Sequence, residues 1–324
     1  MQKYFLNFGC FLFLFCCVNI TYAQYTETIN SNRPGASQGA FSVGTNVLQI
    51  EGGGYYGFEK HNLRLTDTDI MGLDYSLRYG LFFEALEVSL TGAFQGETTT
   101  IKIGGNDEEF KRSNFRSNTL GLKYMIFDPN VSIEPDKPNL YSWKANQRFK
   151  WKTLIPAVAV YAGANFSFGE NPYLLPGEKK FSPKVALITQ NNWQGGWVLV
   201  TNIIADRITE EEPSFTGMVT LTHTFSQKFA GFLEYQAIFS NIYADDIFRT
   251  GLAYLISDDL QVDISGLLNF KNTPSRWQVA TGLSYRFDWH SQDEFLDDSD
   301  EGDFRRSRTR DQQEQVPQNE PVEQ

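Results

Sequence analysis

From residue 45 onward the chain repeats one pattern: apolar and polar residues alternate with a period of two for roughly 9 to 14 positions, stop at a polar stretch, and resume. Leu260, Val262, Ile264, Gly266, Leu268 and Phe270 alternate with Gln261, Asp263, Ser265 and Asn269, and Leu283, Tyr285, Phe287 and Trp289 alternate with Ser284, Arg286 and Asp288. A period of two places successive side chains on opposite faces of an extended chain, and a slip of one residue would invert both faces. The pattern predicts twelve strands, at 45–58, 69–80, 82–95, 116–127, 153–168, 181–192, 196–207, 215–225, 229–239, 247–256, 259–270 and 277–289. Short links at 80–82, 193–195, 226–228 and 257–258 alternate with longer polar ones at 59–68, 96–115, 169–180, 208–214, 240–246 and 271–276. That alternation, an even strand number and strands of membrane-crossing length predict a transmembrane antiparallel β-barrel. The segment 128–152 breaks the rule: it is long where a short turn is due, so it is either an excursion at that end or a sign that the strand count is off by a pair.

The only long apolar run precedes the pattern. Lys3, an apolar stretch from Phe5 to Val18 and then Thr21-Tyr22-Ala23 have the form of a secretory signal peptide cut after Ala23. Cys16 and Cys17 raise the alternative of lipidation, but bulky residues stand where a lipidated cysteine needs a small one before it. Cys10, Cys16 and Cys17 all fall within this leader, so the mature chain has no thiol for a disulfide or a metal site. The expected organisation is a signal peptide at 1–23, a periplasmic or lumen-facing lead-in at 24–44, a barrel at 45–289 in the bacterial outer membrane, and an acidic disordered periplasmic tail at 290–324.

Composition sharpens the choice between a membrane wall and a soluble sandwich. Aromatic residues make up 15% of the chain while mean hydropathy is −0.36. Rings cluster toward strand ends, as at Trp197, Phe215, Phe225 and Trp289, where interfacial belts would stand. The net charge of −11 excludes a nucleic-acid partner, which would need clustered Lys and Arg, and the tail alone carries −7 of it.

If the apolar face meets lipid, parity turns Glu51, Asp74, Arg78, Glu87, Lys123, Glu234, Arg249, Asp263 and Arg286 into the lumen. Together they suggest a polar path that selects solutes. Individually, any of them can be an ion pair that fills space. No catalytic, cofactor or metal site is expected: of the three histidines, His61 falls in a loop, His290 beyond the last strand, and His223 on the lipid-facing parity. The run Gly52-Gly53-Gly54 opens no helix, so it reads as a place of bending or close approach, not a phosphate loop. The polar stretch at 31–38 could enter the lumen as a plug, with Arg33 meeting a carboxylate such as Glu51.

At this stretch the chain resembles a known family. Asn32-Arg33-Pro34-Gly35, then Phe41-Ser42-Val43-Gly44 and Leu48-Gln49-Ile50-Glu51-Gly52-Gly53, are similar to the opening of bacterial outer-membrane transporters labelled as linked to the meta-pathway of phenol degradation. Weaker likenesses are Leu154-Ile155-Pro156 and Gly195-Gly196-Trp197. The resemblance implies a porin-like barrel that passes small hydrophobic or aromatic compounds. Expected partners are outer-membrane lipids, the solute and the barrel-assembly machinery, with loops 96–115 and 169–180 shaping the outer mouth. The competing expectations are a non-transporting structural or adhesion barrel and a membrane-embedded lipid-modifying enzyme.

Overall fold

In a computed structural model of the chain, residues 28–103, 106–133, 141–142, 151–174 and 178–289 are described. The expected leader and acidic tail lie outside the described residues, as does His290. Twelve strands form one closed antiparallel barrel: β1 (Val47–His61), β2 (Thr66–Gly80), β3 (Leu86–Ile103), β4 (Asn106–Phe127), β5 (Ala157–Phe166), β6 (Phe181–Trp193), β7 (Trp197–Asp206), β8 (Ser214–Ser226), β9 (Phe229–Phe239), β10 (Asp245–Ser257), β11 (Leu260–Asn269) and β12 (Ser275–Asp288). Each strand pairs with its neighbours in sequence, and β1 closes the ring against β12 from Val47↔Asp288 to Lys60↔Ser275. Closure removes both sheet edges and satisfies the backbone within the sheet, which is the condition for crossing hydrocarbon with strands.

Alternation fixes what each face meets. On β1 the odd residues Val47, Gln49, Glu51 and Tyr55 are buried inside, whereas Ile50 and Tyr56 stand exposed outside. The outer wall continues with Met71, Leu73, Leu120, Leu122, Ile203, Leu233, Ile264 and Leu283, all exposed and apolar. Ring pairs mark its margins. Trp197 stacks on His223 at 4.1 Å and Tyr285 meets Phe287 edge-on near the end that holds the first residues of β1, and Tyr56 meets Trp277 toward the opposite end. A polar-filled barrel with an apolar, aromatic-rimmed exterior is the inverse of a soluble barrel.

Three sequence expectations are corrected. Most of 96–115 and much of 59–68 are strand, because β3 and β4 run on to Ile103 and from Asn106, and β1 and β2 are joined by residues 62–65. Past the membrane both faces are wet, so apolar alternation vanishes while Thr98, Thr99, Thr100 and Ile101 keep their β-branched preference for extended chain. The strand expected at 153–168 begins only at Ala157, since Trp151–Leu154 form a 3-10 turn ahead of Pro156. At the irregular connection 128–156 the described residues hold that turn and one short helix, α1 (Pro129–Ser132), capped by Asp128, so the count of twelve strands stands.

Candidate functional site

The interior is layered along β1. From the end where the strand starts, Gln49 and Glu51 are followed by Gly53, then Tyr55, then Glu59. Residues 28–46 lie inside the first layers, held by backbone donors and acceptors that the wall answers with side chains. Asn202 takes Gln38 N–H at 2.6 Å and returns its amide to Gln38 O at 2.9 Å. Gln190 accepts Ala40 N–H at 2.9 Å, and Glu234 accepts Ala36 and Ser37 N–H at 3.0 and 3.1 Å. Ala40 packs on an apolar floor of Met125, Ala157, Ala159, Tyr161 and Ile188. An irregular segment needs such partners because its backbone groups have no ladder of their own.

Arg33 occupies a seat that spans four strands. In the sheet register Asp74 lies beside Gly53, Gly53 beside Gly282, and Gly282 beside Asp263, giving a row of carboxylate, glycine, glycine, carboxylate across β2, β1, β12 and β11. The guanidinium lies over the two glycines, where a methyl group on either would overlap it. Nε and Nη2 donate to the two oxygens of Asp263 at 3.0 and 3.1 Å, and Nη1 donates to Asp74 at 2.6 Å. Two-point contact with a planar carboxylate is what guanidinium provides and ammonium cannot. Gln261 donates to Arg33 O at 3.1 Å, and Ser31 Oγ meets Ser284 Oγ at 2.8 Å.

The nine sequence-predicted lumen residues all project from the interior register, but they do not form one constellation. Arg78, Glu87 and Lys123 make a buried cluster: Arg78 donates twice to Glu87 at 2.9 Å, and Lys123 reaches Glu87 at 3.1 Å while donating to Phe41 O at 2.9 Å. Glu51 joins it at 3.4 Å from Arg78. Arg249 pairs with Glu234, and Arg286 pairs with Asp259 at 2.7 Å near the end of β12. Asp74 and Asp263 hold Arg33. The expected contact of Arg33 with Glu51 is corrected, since Glu51 instead accepts the N–H of Asn32 at 3.3 Å. Glu51 lies one interior step from the glycine seat, and parity alone does not tell which strand will flank it.

Beyond the Arg33 layer the lumen opens. A cavity of about 820 Å³ is lined by Glu59, Glu97, Arg112, Arg116, Tyr173 and Arg276 among others, and one of about 700 Å³ shares Arg116, Tyr173 and Tyr243 with it. Glu59, Glu97, Arg112, Tyr173 and Arg276 were missed because 59–68, 96–115, 169–180 and 271–276 read as loops, to which no parity applies; Arg116 opens the strand expected at 116–127 on the parity opposite to Lys123, and a bulge at that point breaks the alternation. His61 sits at this end, where Nδ1 accepts the N–H of Arg64 at 3.2 Å, and His223 belongs to the outer aromatic margin.

The family model described as "Putative MetA-pathway of phenol degradation" matches residues 31–287. No curated protein matches the chain. Among solved structures the chain is similar to an outer-membrane channel from Pseudomonas putida F1 (10% identity, TM-score 0.45, covering 80% of this chain and 100% of that one). It is also similar to the transport unit of the autotransporter AIDA-I from Escherichia coli (10%, 0.42, 80% and 93%) and to the CymD monoaromatic hydrocarbon channel (9%, 0.38, 76% and 89%).

Proposed function

We propose that this chain, which belongs to the family described as "Putative MetA-pathway of phenol degradation", is an outer-membrane barrel that passes small organic solutes, hydrophobic or aromatic, through a lumen gated by its own residues 28–46. The observation that carries the reading is the seat of Arg33: a single cation on the inner segment is held by Asp74 and Asp263 across a glycine floor, while open volume lies on the other side. The clasp is charge-assisted, and its parts can separate without unfolding any strand. The exposed apolar belt takes outer-membrane lipid as its solvent, and insertion falls to the barrel-assembly machinery. The reading is of a conduit, not an enzyme.

The dense bonding of residues 28–46 also favours a second reading, a closed barrel with a structural role. Planar-bilayer conductance of the mature protein with and without residues 24–42 separates the two. A gated conduit gives ohmic steps after truncation, and a structural barrel stays silent in both forms despite verified insertion.

A further inference from the structure

The open half of the lumen is strongly biased in charge. Arg64, Lys111, Arg112, Arg116, Lys271 and Arg276 line the larger cavity, against the carboxylates of Glu59 and Glu97. The carboxylates are already engaged: Glu97 takes Arg112 at 2.6 Å, and Glu59 stands 3.3 Å from Arg276 Nε. Arg116 donates to the neutral Gln95 oxygen at 3.2 Å and meets the Tyr55 hydroxyl, with no carboxylate paired to it among the described residues, and it lies close enough to Arg276 for the two to repel.

Arg276 is the second, independent observation. Its side chain is only 9% exposed and Nη2 donates to Gln278 at 3.2 Å, yet its Nε–H makes no hydrogen bond, because Glu59 is near enough for charge attraction but not aligned as an acceptor. Burying a guanidinium N–H without an acceptor is costly, and placing a second guanidinium beside it compounds the cost. An anion between Arg116 and Arg276 would relieve both. The surroundings are aromatic: Tyr55 is close to both arginines, Tyr173 carries Arg112 over its ring at 4.7 Å, and Tyr243 lies in the same wall.

We infer that Arg116 and Arg276 form the carboxylate subsite of a binding site for small aromatic carboxylates, with Tyr173 and Tyr243 against the ring. This deepens the conduit reading and rests on it for the solute's onward path, but binding itself requires no open plug. A neutral phenol or hydrocarbon would leave the Arg276 Nε–H without an acceptor and the repulsion between the two arginines in place, so the site prefers the anionic form of an aromatic solute. Discrimination of this kind is strong where a site's buried polar groups would otherwise go unpaired.

The test is equilibrium binding to the full mature barrel in detergent by calorimetry, using benzoate, its neutral isostere benzamide, and inorganic phosphate as probes. Benzoate is expected to bind at least about tenfold more tightly than benzamide or phosphate, and Arg116→Gln and Arg276→Gln are each expected to weaken benzoate about tenfold while leaving benzamide unchanged. Equal binding of benzoate and benzamide to the wild-type barrel, or no benzoate binding by a barrel shown to be folded by its heat-sensitive gel mobility, overturns the inference without needing any variant. Phosphate binding as tightly as benzoate also overturns it, in favour of a generic anion trap. Failure of the conduit reading would appear separately, as benzoate binding to a barrel that conducts nothing even after truncation.

Discussion

Replacing Arg33 with alanine should open the barrel, and the size of the effect follows from its seat. The Arg33 side chain is 10% exposed, Asp263 0% and Asp74 40%. Removing the cation leaves Asp263 buried and unanswered, a change that costs about 3–5 kcal/mol where a buried pair is broken. The half-exposed Asp74 is screened by water and adds no more than about 1 kcal/mol. The loss falls on the docked position of residues 28–46, not on the ladder hydrogen bonds, so it shifts the plug equilibrium by a factor on the order of 10² to 10⁴. Two assays read it: single-channel open probability in planar bilayers, and the rate at which a maleimide labels a cysteine placed at Gln38, whose backbone is clasped by Asn202. Both should rise by that factor. The reasoning is refuted if Arg33→Ala inserts normally, stays closed, and leaves the Gln38→Cys thiol as protected as before.

Other expectations follow from neighbouring contacts. Gly282→Ala keeps every charge but puts a methyl group where the Arg33 guanidinium lies, so it should open the channel about 10- to 100-fold, less than Arg33→Ala, and a closed Gly282→Ala channel would contradict the glycine seat. Glu87→Gln leaves Arg78 and Lys123 buried side by side with carbonyl contacts and Glu51, 3.4 Å from Arg78, as the remaining carboxylate, and should lower barrel stability in urea by about 3–5 kcal/mol; a change below about 1 kcal/mol would show the cluster is not structural. The Tyr173 phenol, in the loop after β5, is pushed up to about 12, first by burial and then by Glu97. A raised folded pKa means that whatever stability the phenol contributes is complete below its ordinary value of 10.0 and is lost as pH climbs through about 12. Absorbance titration at pH 10 to 11 should therefore give the same phenolate signal for Tyr173→Phe and wild type, and a larger wild-type signal in that window would contradict the raised value.

The fold was largely legible because a membrane wall imposes one rule on every strand. Wherever a strand crosses lipid, polar and apolar residues tend to alternate, as along β11 and β12. The rule failed where lipid ended. Thr98 to Ile101 face water on both sides, so the outer parts of β3 and β4 looked like loop, and Glu97 and Arg112 disappeared from view with them, while Arg116 sits at a bulge in β4 that breaks the parity. It also failed on β5, where Ala157, Val158, Ala159 and Val160 are apolar on both faces, because the inner face of that strand is the floor beneath Ala40. The partners of Arg33 were hidden for a different reason. Parity says that Asp74 and Asp263 point inward, but their alignment across Gly53 and Gly282 depends on three successive inter-strand registers, which no single strand's sequence encodes. The glycine run on β1 did signal close approach, and the group that approaches is a side chain, not backbone.

The central claim, that residues 28–46 are a removable plug, is tested most directly by tying the plug to the wall. Ser31 Oγ and Ser284 Oγ are 2.8 Å apart, and the native cysteines, Cys10, Cys16 and Cys17, all precede the described residues. Conductance would be measured on mature Ser31→Cys/Ser284→Cys protein carrying Arg33→Ala, oxidised and then reduced in the same bilayer, with the crosslink verified by mass. The account predicts silence when oxidised, steady ohmic steps on reduction, and silence again on reoxidation. Identical conductance in both states would contradict it and place the gate elsewhere in the barrel.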